Sequence, residues 1–119
     1  MVVNQFEDLR VWQAAMKQCG RVGELIKRPK FRDDRARCDE MNDVAISVAA
    51  NISEGFLRHR DKEFNQFLRV SAGSNGEVRT CFIAVQERKY LPDDEATELI
   101  EGSNAIGRMI RRLQATLKL

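Results

Sequence analysis

Among the 119 residues, His59 is the one side chain whose ordinary pKa suits general base work near neutral pH. It stands in "RHR" (58–60), with no serine or cysteine beside it to activate. An exposed loop histidine is the simpler assignment. A di-iron bundle needs Glu-x-x-His pairs on two helices, and the residue three before His59 is Phe56. Cys19, Cys38 and Cys81 are far apart and form no C-x-x-C pair, so neither a zinc site nor a redox dithiol is expected. They read as reduced thiols of a cytoplasmic protein. "GSNGE" (73–77) lacks the Gly-Lys-Ser/Thr ending of a phosphate loop and lies in mid-helix. "NIS" (51–53) matches a glycosylation acceptor but falls on a helix expected to be buried. We expect no enzyme, no cofactor and no metal.

Charge offers more. The net charge is only +2, yet it is blocked along the chain. "KRPKFRDDRAR" (27–37) holds six basic and two acidic residues, and "RMIRRLQATLKL" (108–119) four basic and none acidic. Between Cys38 and Leu57 the four charged residues are all acids. The candidates for gripping a polyanion are Lys27, Arg28, Lys30 and Arg32, then Arg58, Arg60 and Lys62, then Arg108, Arg111 and Arg112. No exposed aromatic cluster for base stacking is apparent, so contact with RNA or DNA should depend on phosphate charge and shape. The alternative is a structural or adaptor oligomer that binds a protein partner.

The most unusual stretch is "DVAISVAANISEGF" (43–56), uncharged from Val44 to Ser53. As a helix this is about 15 Å with no charge on any side, whereas an outer helix of a small bundle should show a polar face. Both faces are therefore expected to be covered, one by the core and one by another copy of the chain, through Val44, Ile46, Ala49, Ala50 and Ser53. Ser47, Asn51 and Glu54 lie at i, i+4 and i+7 on one line. "SAGSNGE" (71–77) adds Ser74 and Glu77, together with Gly73 and Gly76, which are costly in mid-helix and would permit close backbone approach. We expect a buried polar ladder of Ser47, Asn51, Glu54, Ser74 and Glu77 that fixes register, since buried polar groups must be paired.

Four helices must position these groups. The first runs from near Phe6 to Arg28 on a stripe of Leu9, Trp12, Met16, Cys19 and Ile26, and Pro29 follows its end. The second starts at Asp33 or Asp34, uses Cys38, Met41, Ala45, Val48 and Ile52, and stops at Gly55. The third is capped by Asp61 and runs to about Lys89 on Phe64, Phe67, Ser71, Ser74, Val78, Cys81 and Val85. The fourth starts after "YLP" on Leu99, Ser103, Ile106, Ile110, Leu113 and Leu117. No strand alternation persists, and no apolar run is long enough to span a membrane. The N-terminus lacks a signal-peptide pattern. The expected fold is all-α, a single domain over 1–119, an up-down-up-down antiparallel four-helix bundle.

"FEDLRVWQAAM", "SVAANISEGF" and "KEFNQFLRVSAGSNGE" together resemble the bacterial family of proteins encoded in 23S rRNA intervening sequences. That family is similar in turn to the accessory variability protein of diversity-generating retroelements. The matched positions are Ser47, Asn51 to Gly55, Arg58, Glu63, Phe64, Phe67, Leu68, Gly73, Ser74 and Glu77. The resemblance implies a four-helix bundle assembled as a ring, a homopentamer, in association with nucleic acid or a ribonucleoprotein. Where that pattern often has Gln followed by two arginines, this chain has Glu40, Asn42 and Asp43, which removes basic charge from that surface.

Overall fold

The computed structural model describes residues 3–119, and among these it is all-helical, with no strand. A 3-10 turn at Phe6–Asp8 leads into α1 (Arg10–Leu25). One turn, α2 (Pro29–Arg32), is followed by α3 (Arg35–Leu57), α4 (Asp61–Glu87) and α5 (Asp93–Thr116). No described helix is long and apolar enough to cross a membrane.

Local chemistry explains the boundaries. α1 ends at Leu25, short of the expected Arg28, and Pro29 takes the first position of α2, where its missing N–H costs nothing. The Asp34 carboxylate accepts a hydrogen bond from the Arg37 backbone N–H at 3.3 Å and so caps α3. Asp61 does not cap α4 but is its first residue, and the capping position falls on Arg60. Asp93, Asp94 and Glu95 fill the first turn of α5, where negative charge is favoured. Gly55 does not stop α3. The helix ends two residues later, with His59 in the left-handed region at φ 59°. α4 ends likewise: Lys89 takes φ 59°, its N–H reaches the Gln86 carbonyl, and the Tyr90 N–H reaches the Val85 carbonyl at 3.0 Å.

The four long helices enclose one core, and the molecule measures 45 × 22 × 20 Å. The contacting pairs are α3 with α4, α4 with α5, α1 with α3 and, most sparsely, α1 with α5. Along three of these seams residue numbers rise along one helix as they fall along its partner. Ser47 meets Ser74 while Val48 meets Ser71; Asn75 meets Ser103 while Asn65 meets Gln114; Gln18 meets Ser103 while Arg21 meets Glu98.

The buried stripe of α1 is not the expected one. It is Val11, Ala15, Gln18, Val22 and Leu25; of the expected residues Leu9, just before the helix, is buried in the core, Met16 is exposed, and Trp12, Cys19 and Ile26 flank the core. A polar residue in the middle of the true stripe made the neighbouring apolar line look better. Phe31 on α2 is fully buried and meets Tyr90 edge-on at 5.4 Å, which closes one end of the core. Close backbone approach occurs at Gly55, where a Cβ would stand 2.7 Å from the Phe67 Cβ. At Gly73 and Gly76 nothing lies within 4 Å of that position, contrary to expectation.

Candidate nucleic-acid interface

Part of the expected ladder forms. Ser47 Oγ and Ser74 Oγ lie 2.8 Å apart, and Asn51 Nδ2 donates to the Ser47 carbonyl at 2.8 Å and to its Oγ at 3.0 Å. Ser71 extends the series, its hydroxyl donating to the Val48 carbonyl at 2.7 Å. Glu54 and Glu77 stand outside it, and both are exposed. Beyond Asn51 the facing side of α4 is Phe67, packed on Gly55, which offers no donor. Glu54 turns instead to Arg58, one turn on, at 2.8 Å. Ser74 and Val78 face inward, so Glu77 between them faces out.

A second polar group, missed in the sequence, joins three helices inside the core. Ser103 Oγ donates to Gln18 Oε1 at 2.6 Å, Gln18 Nε2 donates to Asn75 Oδ1 at 3.4 Å, and Asn75 Nδ2 donates to the Ser103 carbonyl at 2.9 Å. Each residue is less than 9% exposed. The available signal was Ser103 in the apolar stripe of the last helix, which requires a buried partner.

The residues expected to meet a second copy divide. Ile46, at 48% exposure, and Ala50 face solvent, with Ser53 half-buried beside them and Leu57 continuing the line at 55%. Ala49 lies in the chain's own core at 3%, and Val44 packs half-buried against that core. The outer apolar stripe is therefore Ile46, Ala50, Ser53 and Leu57.

The basic residues do not gather into one patch. Lys27, Arg28, Lys30 and Arg32 lie at the α1–α2 end, and Arg58, Arg60 and Lys62 at the far end of α3, about 33 Å away along its 23 residues. Several are committed within the molecule. Arg28 makes a two-pronged contact with Glu95 at 2.7 Å on each arm, which holds the Glu95 carboxyl below its usual range. Arg37 pairs with Glu40. Arg58, bound to Glu54, also lies 5.1 Å over the Phe67 ring. Lys30 donates to the Lys89 carbonyl at 3.1 Å. Arg60, Lys62 and Arg112 are exposed, with no ion pair among the described residues.

Two clefts collect the cations left over. Lys27, Arg32 and Arg35 rim a cleft of 490 Å³ with Ile26, Cys38 and Asp39. Arg79, Arg108 and Arg111 line a narrower one of 190 Å³ between α4 and α5. Arg35 and Arg79 were not among the sequence candidates, because cleft membership depends on helix register. A third groove of 370 Å³ between α1 and α5 is mainly apolar. No group of three or more His, Cys, Asp or Glu side chains gathers among the described residues. Burial raises the thiol pKa of Cys19, Cys38 and Cys81, so all three are held protonated at neutral pH.

A family model described as 23S rRNA-intervening sequence protein matches residues 7–112. A crystal structure from Bacteroides thetaiotaomicron VPI-5482, described as a protein with unknown function from the S23 ribosomal protein family, is similar with a TM-score of 0.82. The two sequences are 15% identical, and the alignment covers 89% of this chain and 99% of that one, a likeness of fold. Comparison with curated proteins finds no match.

Proposed function

The chain belongs to the 23S rRNA-intervening sequence protein family, and from that premise we propose that it is a non-enzymatic, cytoplasmic homo-oligomer that associates with structured RNA through the phosphate backbone. The observation that carries this reading is that cations with no ion pair among the described residues line concave surfaces: Lys27, Arg32 and Arg35 in one cleft, Arg79, Arg108 and Arg111 in another. The subunit is proposed as an up-down-up-down four-helix bundle. The cyclic order of contacts and the opposed residue numbering along three of the four seams support that topology. The outer stripe of α3 supports assembly through a second copy, and a ring of five follows the family resemblance. In a ring a modest contact per subunit is multiplied without any single strong site.

Fluorescence anisotropy tests this with a structured RNA and a duplex DNA at about 50 and 200 mM salt. Binding should tolerate sequence changes, fall steeply with salt, and weaken in an Arg32→Ala/Arg35→Ala variant. The exposed carboxylates Asp39 and Asp43 on α3 favour a second reading, an adaptor for a basic protein partner. Absence of RNA and DNA binding at the lower salt would select it.

A further inference from the structure

We infer that the cleft between α4 and α5 is a binding site for a phosphate group, held by Arg79, Arg108 and Arg111. Arg79 comes from α4 and the other two from adjacent turns of α5, so the site exists only when these helices are in register. No carboxylate lines the cleft, and none of the three guanidinium groups makes an ion pair among the described residues. The contrast with Arg28, Arg37 and Arg58 is plain, since each of those is bound to a glutamate. Like charges converging on one cleft repel each other, and an anion relieves that repulsion.

The remaining lining is suited to an oxyanion. Arg79 Nη1 donates to Asn104 Oδ1 at 2.7 Å, which fixes the guanidinium without cancelling its charge. The floor is Asn75, only 6% exposed and hydrogen-bonded to Gln18 and to the Ser103 carbonyl. Gly76 and Gly107 keep the walls free of side chains, and a Cβ at Gly107 would stand 3.6 Å from Asn75 Nδ2 and 3.8 Å from Arg111 Nη1. The cleft offers 190 Å³, room enough for a phosphate group. Arginine forks match phosphate oxygens in bidentate geometry, a match that lysine cannot make. The other basic cleft differs in carrying a carboxylate, Asp39, in its lining.

This deepens the nucleic-acid reading and rests on it for the phosphate's source, an RNA backbone. Two measurements on the full chain separate them. In the first, inorganic phosphate is titrated against sodium chloride of equal ionic strength and followed by amide and guanidinium NMR. Saturable shifts should be confined to Asn75, Gly76, Arg79, Asn104, Gly107, Arg108 and Arg111. They should vanish in Arg108→Ala/Arg111→Ala and weaken in the double Arg→Lys variant. Gly107→Leu, which fills the cleft with charge unchanged, should abolish them too. It also covers the case in which the double alanine variant fails to fold. In the second, structured RNA is titrated by anisotropy at low salt, and the double alanine variant should bind at least tenfold more weakly. Phosphate shifts that chloride reproduces, or that survive Gly107→Leu, overturn the site. RNA binding that ignores these substitutions overturns an RNA backbone as the phosphate's source and leaves the nucleic-acid reading standing. Localised phosphate binding without RNA binding upholds the site for a phosphorylated small molecule and overturns that reading.

Discussion

Asp34 carries more contacts than any other carboxylate at the α2–α3 junction. Tyr90 Oη donates to it at 2.8 Å, Arg88 at 3.0 Å and the Arg37 amide at 3.3 Å. The Tyr90 hydrogen bond leads in holding its pKa below the usual carboxylate range, with the Arg37 amide and the nearby arginine charges adding to it. A depressed folded-state pKa stabilises above the unfolded value near ~3.9 and loses that contribution as pH falls through the folded value. Asp34→Asn should therefore lower Tm at neutral pH and flatten the fall of Tm on acidification below about pH 5, as measured by thermal unfolding across that range. Ser103 has a different role. Ser103→Ala leaves Gln18 Oε1 buried without its donor, and urea unfolding should show a loss of about 1–3 kcal/mol. Asn51 is less consequential than the sequence implied, since both its hydrogen bonds stay within its own helix turn on Ser47.

The four long helices were legible because three- and four-residue spacing survives in each of them, whereas the single turn α2 is too short to show a period. The phases of α3, α4 and α5 could be read because apolar side chains or small hydroxyls occupy most buried positions. The phase of α1 could not, because Gln18 sits at its centre and its partners lie 57 and 85 residues away. For the same reason the Arg79–Arg108–Arg111 cleft was only two-thirds visible: charge blocks show on one helix, but their meeting across a seam does not. Glycines misled in a related way, since sequence marks their low helix propensity and not their surroundings. Gly55→Ala would push a methyl into Phe64 and Phe67 and should destabilise by about 1–3 kcal/mol. Gly73→Ala meets nothing within the subunit and should stabilise it by about 1 kcal/mol. Denaturant titrations of the pair give opposite signs if the α3–α4 approach is as close as described.

At the scale of the molecule, the line of Ile46, Ala50, Ser53 and Leu57 along the outside of α3 is the surface on which the proposed assembly would depend. Ile46→Glu would place a charge there, where an unpaired buried carboxylate costs several kcal/mol. Sedimentation equilibrium should show the wild-type chain as an oligomer and the variant as a folded monomer; a wild-type monomer at micromolar concentration would refute the proposed assembly. The four seams are also unequal. α3 and α4 are in close contact along their length, whereas α1 and α5 touch sparsely and enclose the 370 Å³ groove. Thermal breathing should follow that inequality, because regions with few buried apolar contacts open at the lowest free energy. α1 would swing out first, hinged where Pro29 interrupts the backbone and where Phe31 stays anchored, while the α3–α4 hairpin stays shut. Amide protons of α1 would then exchange with solvent well ahead of those in α3. The subunit would be a rigid hairpin with a looser outer arm, and neighbouring copies in an assembly could exchange that arm between them.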